Sequence, residues 1–315
     1  MSDEIVVSFI IPAFNEADMI VDTLTQLHNF APKVAYEVIV VDNGSKDNTV
    51  QLAQSYNDTV VSCPIGTIAV VRNCGVQASN GKTLVFLDAD VKLTQQWQDN
   101  INEAIKKVDV NPLIITGSRC SPPENNNTLN THWFNLLVES KSATYINSGH
   151  LITSRILFDK ISGFDEKLIT AEDHDFCVRA KALGTLIIAN STLKVIHDGY
   201  PTTYAQFIKR ERWHGREDFK NVTSILNSKV ALVIFLHLII FVTSSTVVYL
   251  FGVMAGTSLY VLTMLILSLA LTRYKFSKNP IQSLMKTSFV HYLYIIGRTL
   301  SLMDRLTFRY SSKFR

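Results

Sequence analysis

Cysteine is scarce in this 315-residue chain, and charge is missing from one long part of it. The four cysteines are scattered, form no Cys-x-x-Cys pair and have no histidine at zinc-ligand spacing. The sequence therefore predicts neither a disulfide framework nor a zinc site. The N-terminal residues are acidic and lead into a short apolar run, which does not fit a secretory signal. We expect reduced thiols and a first domain that stays in the cytosol.

Residues 230–272 contain no Asp, Glu, Lys or Arg. One bilayer crossing needs about 20 apolar residues, so this stretch predicts two crossings, at about 230–251 and 254–272, joined by a tight turn. Lys229 and Arg273 flank the stretch and the turn carries no charge, so the positive-inside rule places both ends in the cytoplasm. The alternative is a buried helical hairpin in a soluble protein, although such a length without charge is rare there.

Basic residues are concentrated after the uncharged stretch. From residue 272 onwards there are nine Lys and Arg residues against one acid, whereas the preceding part of the chain has a net charge of about −5. A basic tail directly after an apolar segment indicates a membrane surface as the partner rather than nucleic acid. Residues 281–302 alternate apolar and basic positions, which predicts an amphipathic helix lying on the membrane.

Apolar runs alternate with amphipathic stretches from the N-terminal part of the chain to about Arg119, after which the regular pattern weakens. This pattern predicts an α/β fold with a doubly wound, mostly parallel sheet. The predicted organisation is an α/β domain over 1–228, a transmembrane helical hairpin over 229–273 and a basic, amphipathic, membrane-surface tail over 274–315. In such sheets ligands bind beyond the carboxyl ends of the strands.

Acidic residues stand at these predicted strand ends. The sequence TLVFLDADVKL at 83–93 is an apolar run that ends in Asp88 and Asp90. Residues two apart in an extended chain point the same way, so the two carboxylates repel each other unless a cation lies beside them. A hard divalent cation, Mg²⁺ or Mn²⁺, suits oxygen ligands and commonly bridges to substrate phosphates. The alternative is a pair of turn acids that cap the following helix.

Four stretches of the chain resemble the family 2 glycosyltransferases, whose fold is called GT-A. They are SFIIPAFNEADMI at 8–20, EVIVVDNGSKDNT at 37–49, RNCGVQASNGKTLVFLDAD at 72–90 and GFDEKLITAEDHDFCVRAKALG at 163–184. Their order, spacing and strand-end context match the family, and the resemblance covers roughly residues 5–220. It implies a GT-A-type fold and an enzyme that takes a sugar from a nucleotide-sugar donor with the help of Mn²⁺ or Mg²⁺.

The resemblance also implies roles for single residues at the donor site. The implied nucleotide-sugar contacts are Pro12, Ala13 and Phe14 at the base, Glu16 at the ribose, Asp42 at the base edge, Arg72 near the nucleotide or its phosphates, and Asp88 at the ribose or sugar. A carboxylate suits the N–H of uracil, so Asp42 favours UDP. The implied metal ligands are Asp90 and His197. Each residue also has a structural alternative: core packing for Phe14, a turn for Asp42, a solvated helix for Arg72 and a structural role for His197.

The stretch TAEDHDF contains an adjacent Glu-Asp pair. Acids at this position could simply cap a helix or favour its N-terminus. In the family, the second acid of such a pair is the general base that deprotonates the acceptor hydroxyl. The resemblance therefore implies Asp173 as the base and Glu172 as its supporting acid, with Asp175 as the alternative base. A carboxylate base with in-line displacement gives inversion at the anomeric carbon.

The stretch KRERWHG resembles the Gln-x-x-Arg-Trp motif of membrane-bound processive members of the family. Arg212 and Trp213 match, but Lys209 stands where the motif has Gln, which argues against processive synthesis. An Arg and Trp pair can clamp a diphosphate and stack on a sugar. The alternative is a basic helix that faces the membrane.

Together these features imply an inverting transferase that moves a sugar from a UDP-sugar to a hydroxyl of a polysaccharide, glycolipid or lipid-linked acceptor. It would be a multi-pass protein of the cytoplasmic (inner) membrane with its catalytic domain in the cytoplasm. Membrane lipids and other polysaccharide-assembly proteins are the expected partners. One alternative is a polyprenyl-phosphate sugar synthase, whose ionised acceptor needs no base. The other is a non-catalytic membrane scaffold, against which the intact Asp88, Asp90 and Asp173 argue.

Overall fold

A computed structural model describes residues 6–63, 66–125, 127–139, 145–219, 221–277 and 281–307. The chain forms two compact units. The first comprises Met1–Pro123 and Lys141–Tyr200, and the second comprises Glu124–Ser140 and Pro201–Arg315. The boundary at residue 228 stays a prediction.

The first unit is built on a seven-stranded sheet with the spatial order β3-β2-β1-β4-β7-β6-β8. In chain order the strands of the protein are β1 (Val7–Ala13), β2 (Tyr36–Asp42), β3 (Thr59–Ser62), β4 (Thr83–Leu87), β5 (Val91–Leu93), β6 (Ile114–Gly117), β7 (His150–Ser154), β8 (Leu186–Ala189) and β9 (Val195–His197). Within the sheet, β7 runs antiparallel to β4 and β6, and the other pairings are parallel. The predicted mostly parallel sheet is therefore confirmed. Strands β5 and β9 form a separate antiparallel ribbon.

The helices alternate with the strands in the first unit and dominate the second. In chain order they are α1 (Ile20–Asn29), α2 (Thr49–Gln54), α3 (Ile68–Gln77), α4 (Gln95–Val110), α5 (Asn135–Glu139), α6 (Arg155–Lys160), α7 (Glu172–Lys181), α8 (Tyr204–His214), α9 (Val222–Asn227), α10 (Lys229–Phe251), α11 (Val253–Lys275) and α12 (Ile281–Leu306). A π-helical turn at Asn130–Phe134 precedes α5, and a 3-10 turn at Glu217–Phe219 precedes α9.

Apolar residues cover both faces of the sheet. Along β1, Phe9 and Ile11 join one buried cluster and Ile10 joins another, because side chains alternate between the faces of a strand. Helix α3 lies very close to the sheet at Gly75, where an added Cβ would be 2.5 Å from Cγ2 of Ile10 and 2.8 Å from Cγ2 of Val41. The position of α3, which carries Arg72, is therefore fixed by packing.

Helices α10 and α11 of the second unit are each long and apolar enough to cross a membrane by length and composition. Gly252 separates them with a φ of +92°, a left-handed value that glycine adopts without strain. The predicted hairpin and its turn are confirmed as part of the fold. Residues 278–280 and 308–315 of the predicted tail lie outside the described residues.

Helix α12 is the predicted amphipathic helix, and it packs against α8 and α11. Arg298 of α12 donates to Glu211 of α8 at 3.0 Å and to Asp218 at 3.0 Å. His237 of α10 lies 2.8 Å from Oγ1 of Thr299, again on α12. Polar contacts of this kind attach α12 to α8 and to α10, since buried polar groups need partners. Its predicted position on the membrane surface stays a prediction.

Candidate active site

The candidate site lies at the edge of the sheet where β1, β2 and β4 end. Strands β1 and β2 pair in register up to Ala13 and Asp42, and β4 ends one residue before Asp88. Because parallel strands finish at the same edge, residues distant in sequence meet there. This edge carries the predicted donor-site residues Pro12, Ala13, Phe14, Glu16, Asp42 and Asp88.

Asp42 holds the turn that follows β2. Its Oδ2 accepts a hydrogen bond from the backbone N–H of Gly44 at 3.1 Å, and its Oδ1 accepts one from Ser45 at 3.1 Å. These are the contacts expected for the turn alternative. A carboxylate has about four acceptor positions, so a role at the base edge is compatible with this turn and stays a prediction.

Asp88, Asp90 and His197 form a three-residue group suited to a metal ion. One potential ligand atom from each lies within 4.8 Å of the others. His197 Nε2 is 3.3 Å from Oδ1 of Asp90 and 3.8 Å from Oδ2 of Asp88. The β5–β9 ribbon brings them together by pairing Val91 with His197. The predicted ligands Asp90 and His197 are therefore neighbours, with Asp88 beside them.

Two glycines leave room for the carboxylates of this group. A Cβ on Gly199 would collide with Oδ2 of Asp90, and a Cβ on Gly149 would lie 2.7 Å from Oδ2 of Asp88. Two carboxylates and an imidazole at this spacing are a suitable donor set for a divalent cation such as Mn²⁺. The residues present thus fit the implied metal.

Negative charge is concentrated around this group. Burial, followed by the charges of Asp90 and Asp88, raises the pKa of Glu16 to about 7. Burial also raises the pKa of Asp90, and the charge of Asp88 adds to this effect. Burial opposes ionisation of Asp88 as well, but the Arg72 charge and His197 outweigh it and bring the pKa of Asp88 down to about 2. A bound cation would relieve the repulsion that remains.

Arg72 is buried between two acids of the site. Its Nη2 donates to Oδ1 of Asp88 at 2.7 Å, and its Nη1 donates to Oε1 of Glu172 at 2.7 Å. Its side chain is only 3% exposed, so the solvated-helix alternative does not describe it. Its predicted position near the nucleotide stays a prediction, while the two carboxylates are its observed partners.

The Glu172–Asp173 pair opens helix α7. The N-cap, Ala171, has a φ of +61° and makes no side-chain capping bond, so the first turn begins from a conformation that costs energy outside glycine. Asp173 accepts from the backbone N–H of His174 at 2.7 Å and of Ser148 at 3.4 Å. Burial, and then the charge of Glu172, raises the pKa of Asp173 to about 7. A carboxylate with this pKa is suited to accept a proton near neutral pH.

Three residues of the site could not be singled out in the sequence. Ser148 donates its hydroxyl to Oε1 of Glu172 at 3.0 Å, and Gly149 and Gly199 make room for the metal-site carboxylates. The turn-like run of Asn147, Ser148 and Gly149 just before β7 is the signal that could have drawn attention to two of them.

The predicted Arg-Trp pair belongs to α8 in the second unit. The Arg212 guanidinium donates through Nε to Oδ2 of Asp304 at 2.7 Å and through Nη2 to Oδ1 of the same residue. The ring of Trp213 lies edge-on to that of His214, with 4.9 Å between the ring centroids. The role of this pair as a diphosphate clamp stays a prediction.

The sequence matches a known protein family. Glycosyl transferase family 2 matches residues 8–169. Glycosyltransferase AglE of Haloferax volcanii is 40% identical over 99 residues, which cover 29% of this chain and 32% of that protein. A dolichyl-phosphate beta-glucosyltransferase of Dictyostelium discoideum is 31% identical over 133 residues, which cover 37% of this chain and 41% of that protein. The chain thus matches less than half the length of each of these curated relatives.

A solved structure shares the fold over most of the chain. It is the mannosyltransferase PcManGT from Pyrobaculum calidifontis, in complex with GDP-Man and Mn²⁺. The TM-score is 0.62 at 16% sequence identity, and the match covers 96% of this chain and 88% of that chain. This likeness confirms the predicted GT-A-type fold.

We expect Gly199→Ala to weaken Mn²⁺ binding by at least about tenfold, as the loss of support for a ligand does in other metal sites. Gly199 supplies no ligand, but the added Cβ would displace Oδ2 of Asp90. The measurement is the free Mn²⁺ signal in electron paramagnetic resonance during titration of the detergent-solubilised chain. Asp90→Asn should weaken binding as well, whereas Glu103→Gln, on the exposed surface of α4, should bind like wild type. Unchanged affinity in both site variants would contradict the metal site.

Proposed function

Because the chain belongs to glycosyl transferase family 2, we propose that it is an inverting enzyme that transfers a sugar from a UDP-sugar to an acceptor hydroxyl. The acceptor would be a polysaccharide, a glycolipid or a lipid-linked saccharide at the cytoplasmic face of the membrane. The observation that carries this proposal is Asp173, a buried carboxyl group whose pKa is raised to about 7, joined through Glu172 and Arg72 to the metal-site residue Asp88.

The donor side of the proposal depends on Asp88, Asp90 and His197. A nucleoside diphosphate becomes a good leaving group when its charge is neutralised, and a divalent cation supplies that neutralisation. These residues would hold Mn²⁺ or Mg²⁺ at the end of β4, next to the strand ends that are proposed to bind the nucleotide. The solved mannosyltransferase contains both a nucleotide sugar and Mn²⁺, which supports the same pair of ligands here. UDP is preferred because Asp42 is suited to accept from the N–H of uracil.

The acceptor side depends on the Glu172–Asp173 pair. A hydroxyl group must lose its proton as it attacks the anomeric carbon, and a carboxylate with a raised pKa is a suitable base. Asp173 would take this proton, and attack opposite the leaving diphosphate gives inversion. Asp175, the alternative base, is instead paired with Arg179 at 2.7 Å one helical turn away.

A second candidate function is the synthesis of a polyprenyl-phosphate sugar. The relative from Dictyostelium discoideum, 31% identical over 133 residues, is named as a dolichyl-phosphate beta-glucosyltransferase. A phosphate acceptor is already ionised and needs no base. The two functions therefore differ in whether Asp173 is required.

Attachment to the membrane completes the proposal. Helices α10 and α11 would cross the bilayer as a hairpin with both ends in the cytoplasm, because Lys229 lies at the start of the pair and Arg273 and Lys275 at its end. This arrangement keeps the catalytic unit on the side where nucleotide sugars are made and close to acceptors in the membrane.

We expect Asp173→Asn to lower turnover by about 10²- to 10⁴-fold, the usual contribution of a general base. In the wild type, kcat/KM should rise with pH through about 7, because Asp173 must be deprotonated to accept a proton and its pKa is about 7. The measurement is UDP release from UDP-glucose, UDP-galactose and UDP-N-acetylglucosamine in membranes that contain native acceptors.

Asp175→Asn is the matched control, since it alters an acid on the same helix and should keep most of the activity. Full activity of Asp173→Asn together with an acid-labile lipid product would favour the polyprenyl-phosphate synthase. Full cellular function of both Asp90→Asn and Asp173→Asn would favour the scaffold.

The hairpin predicts which positions an impermeant thiol reagent can reach. Met254, at the turn between α10 and α11, is 85% exposed, and Tyr274, near the end of α11, is 76% exposed. In intact cells, Met254→Cys should be labelled from outside and Tyr274→Cys only after the membrane is opened. Labelling of Tyr274→Cys in intact cells, or protection of both positions, would contradict the proposed topology.

A further inference from the structure

The two acids at the start of α7 have different kinds of partners. Oε1 of Glu172 accepts from the Arg72 guanidinium at 2.7 Å and from the Ser148 hydroxyl at 3.0 Å. Asp173 accepts backbone N–H groups, from His174 and Ser148. A full positive charge therefore contacts one carboxylate directly, while the described hydrogen bonds of the neighbouring carboxylate come from backbone N–H groups.

Arg72 is held firmly in the position that creates this difference. The guanidinium is buried, and its second Nη is occupied by Asp88 at 2.7 Å. Helix α3, which carries it, lies against the sheet at Gly75 with no space for a larger residue. Phe164 also lies below the guanidinium, with its ring centroid 5.9 Å from Cζ. Arg72 thus has little freedom to move away from Glu172.

We propose that Arg72 is a positioning residue that fixes the negative charge on Glu172, so that the proton removed from the acceptor hydroxyl goes to Asp173. In this step the acceptor O–H bond breaks and its proton passes to a carboxylate oxygen of Asp173. The oxygen electron pair forms the new bond to the anomeric carbon while the bond from that carbon to the donor phosphate oxygen breaks, and the nucleoside diphosphate leaves with that electron pair. The inference rests on the proposed role of Asp173 as the base. It adds the reason why Asp173, and not Glu172, takes that role.

The physical reason is the repulsion between adjacent carboxylates. Two acids in contact take up a shared proton together, and the local partners decide which of them holds it. The guanidinium places its positive charge 2.7 Å from Oε1 of Glu172, and the negative charge of Glu172 in turn makes Asp173 more basic. The pKa of Asp173, raised to about 7 by burial and then by Glu172, agrees with this effect of the Glu172 charge. The Arg72 charge opposes that rise directly, and Asp173 also interacts with the Cys177 thiol.

Loss of the Arg72 charge should therefore shift the proton of the pair from Asp173 to Glu172. Without the guanidinium, Glu172 would be a buried carboxylate that keeps the Ser148 hydroxyl but has lost its positively charged partner, which is unfavourable. The proton of the pair should then reside on Glu172, and Asp173 should lose both its raised basicity and its role as the base.

Infrared difference spectroscopy of the full chain in detergent tests this inference without any substrate. Protonated carboxyl groups absorb apart from carboxylates, and ¹³C labelling of all Asp or all Glu side chains identifies the residue type. A Glu16→Gln background removes another acid whose pKa is about 7. Between pH 8 and pH 6 the wild-type band should shift with labelled Asp and disappear in Asp173→Asn. In Arg72→Gln it should shift with labelled Glu and disappear when Glu172→Gln is added.

Arg155→Gln is the matched control for a purely structural effect. Arg155 also lies in the first unit, where it donates to the carbonyl oxygens of Gly81 and Val76 and to the hydroxyl of Ser79 rather than to a carboxylate. The Asp173 band should be unchanged in this variant. A Glu172 band in wild-type protein, or an Asp173 band that survives in Arg72→Gln, would overturn the inference. If Arg72→Gln does not fold, the wild-type spectrum still tests the inference, because a band on Glu172 would overturn it.

The activity of Asp173→Asn separates this inference from the proposed function. If that variant is active, the role of Asp173 as the base is wrong whatever the spectra show. If it is inactive while the band stays on Asp173 in Arg72→Gln, the base assignment stands and the role of Arg72 is wrong.

Discussion

Repulsion between carboxylates at one edge of the sheet is the constraint on which the site depends. Strands β1, β2 and β4 end at the same edge of the sheet, so the acids that follow them are gathered at that edge. The structure balances part of this charge with one buried cation, Arg72, which contacts both Asp88 and Glu172. What remains lies around Asp90 and Glu16, where burial and neighbouring acids raise the pKa values. A divalent cation would complete the balance.

The same constraint connects the donor and acceptor sides of the proposed reaction. Asp88 presents one oxygen to Arg72, while its other oxygen faces His197. Glu172 receives the other arm of the guanidinium and lies directly before Asp173. Asp88 and Glu172, which directly precedes the proposed base, are therefore two hydrogen bonds apart through one arginine. In the second unit, buried ion pairs such as Arg298 with Glu211 attach α12 to α8, beside the hairpin proposed to keep the enzyme at its acceptors.

Much of the fold and part of the site could be predicted because their signals are local. An acid that interrupts an apolar run must lie where a strand leaves the core. This pattern predicted that Asp42 and Asp88 lie at strand ends. The missing charge over 230–272 likewise indicated the hairpin, whose two helices are long and apolar enough to cross a membrane by length and composition. The partners of Arg72 could not be predicted. Arg72 and Glu172 are 100 residues apart, and no local pattern tells which acid a guanidinium will meet. Gly199 was missed for the same reason, because only the approach of Asp90 in three dimensions explains it.

The central claim is that a nucleoside diphosphate and a divalent cation bind together at the strand-end acids. Calorimetric titration of the detergent-solubilised chain with UDP, GDP and dTDP, each with and without Mn²⁺, tests it most directly. The account predicts Mn²⁺-dependent binding of UDP that is lost in Asp90→Asn and retained in Asp159→Asn, which alters an acid on α6. Tighter binding of GDP or dTDP would overturn the assignment of Asp42 alone. Folded protein that binds none of the three nucleotides would contradict the account as a whole.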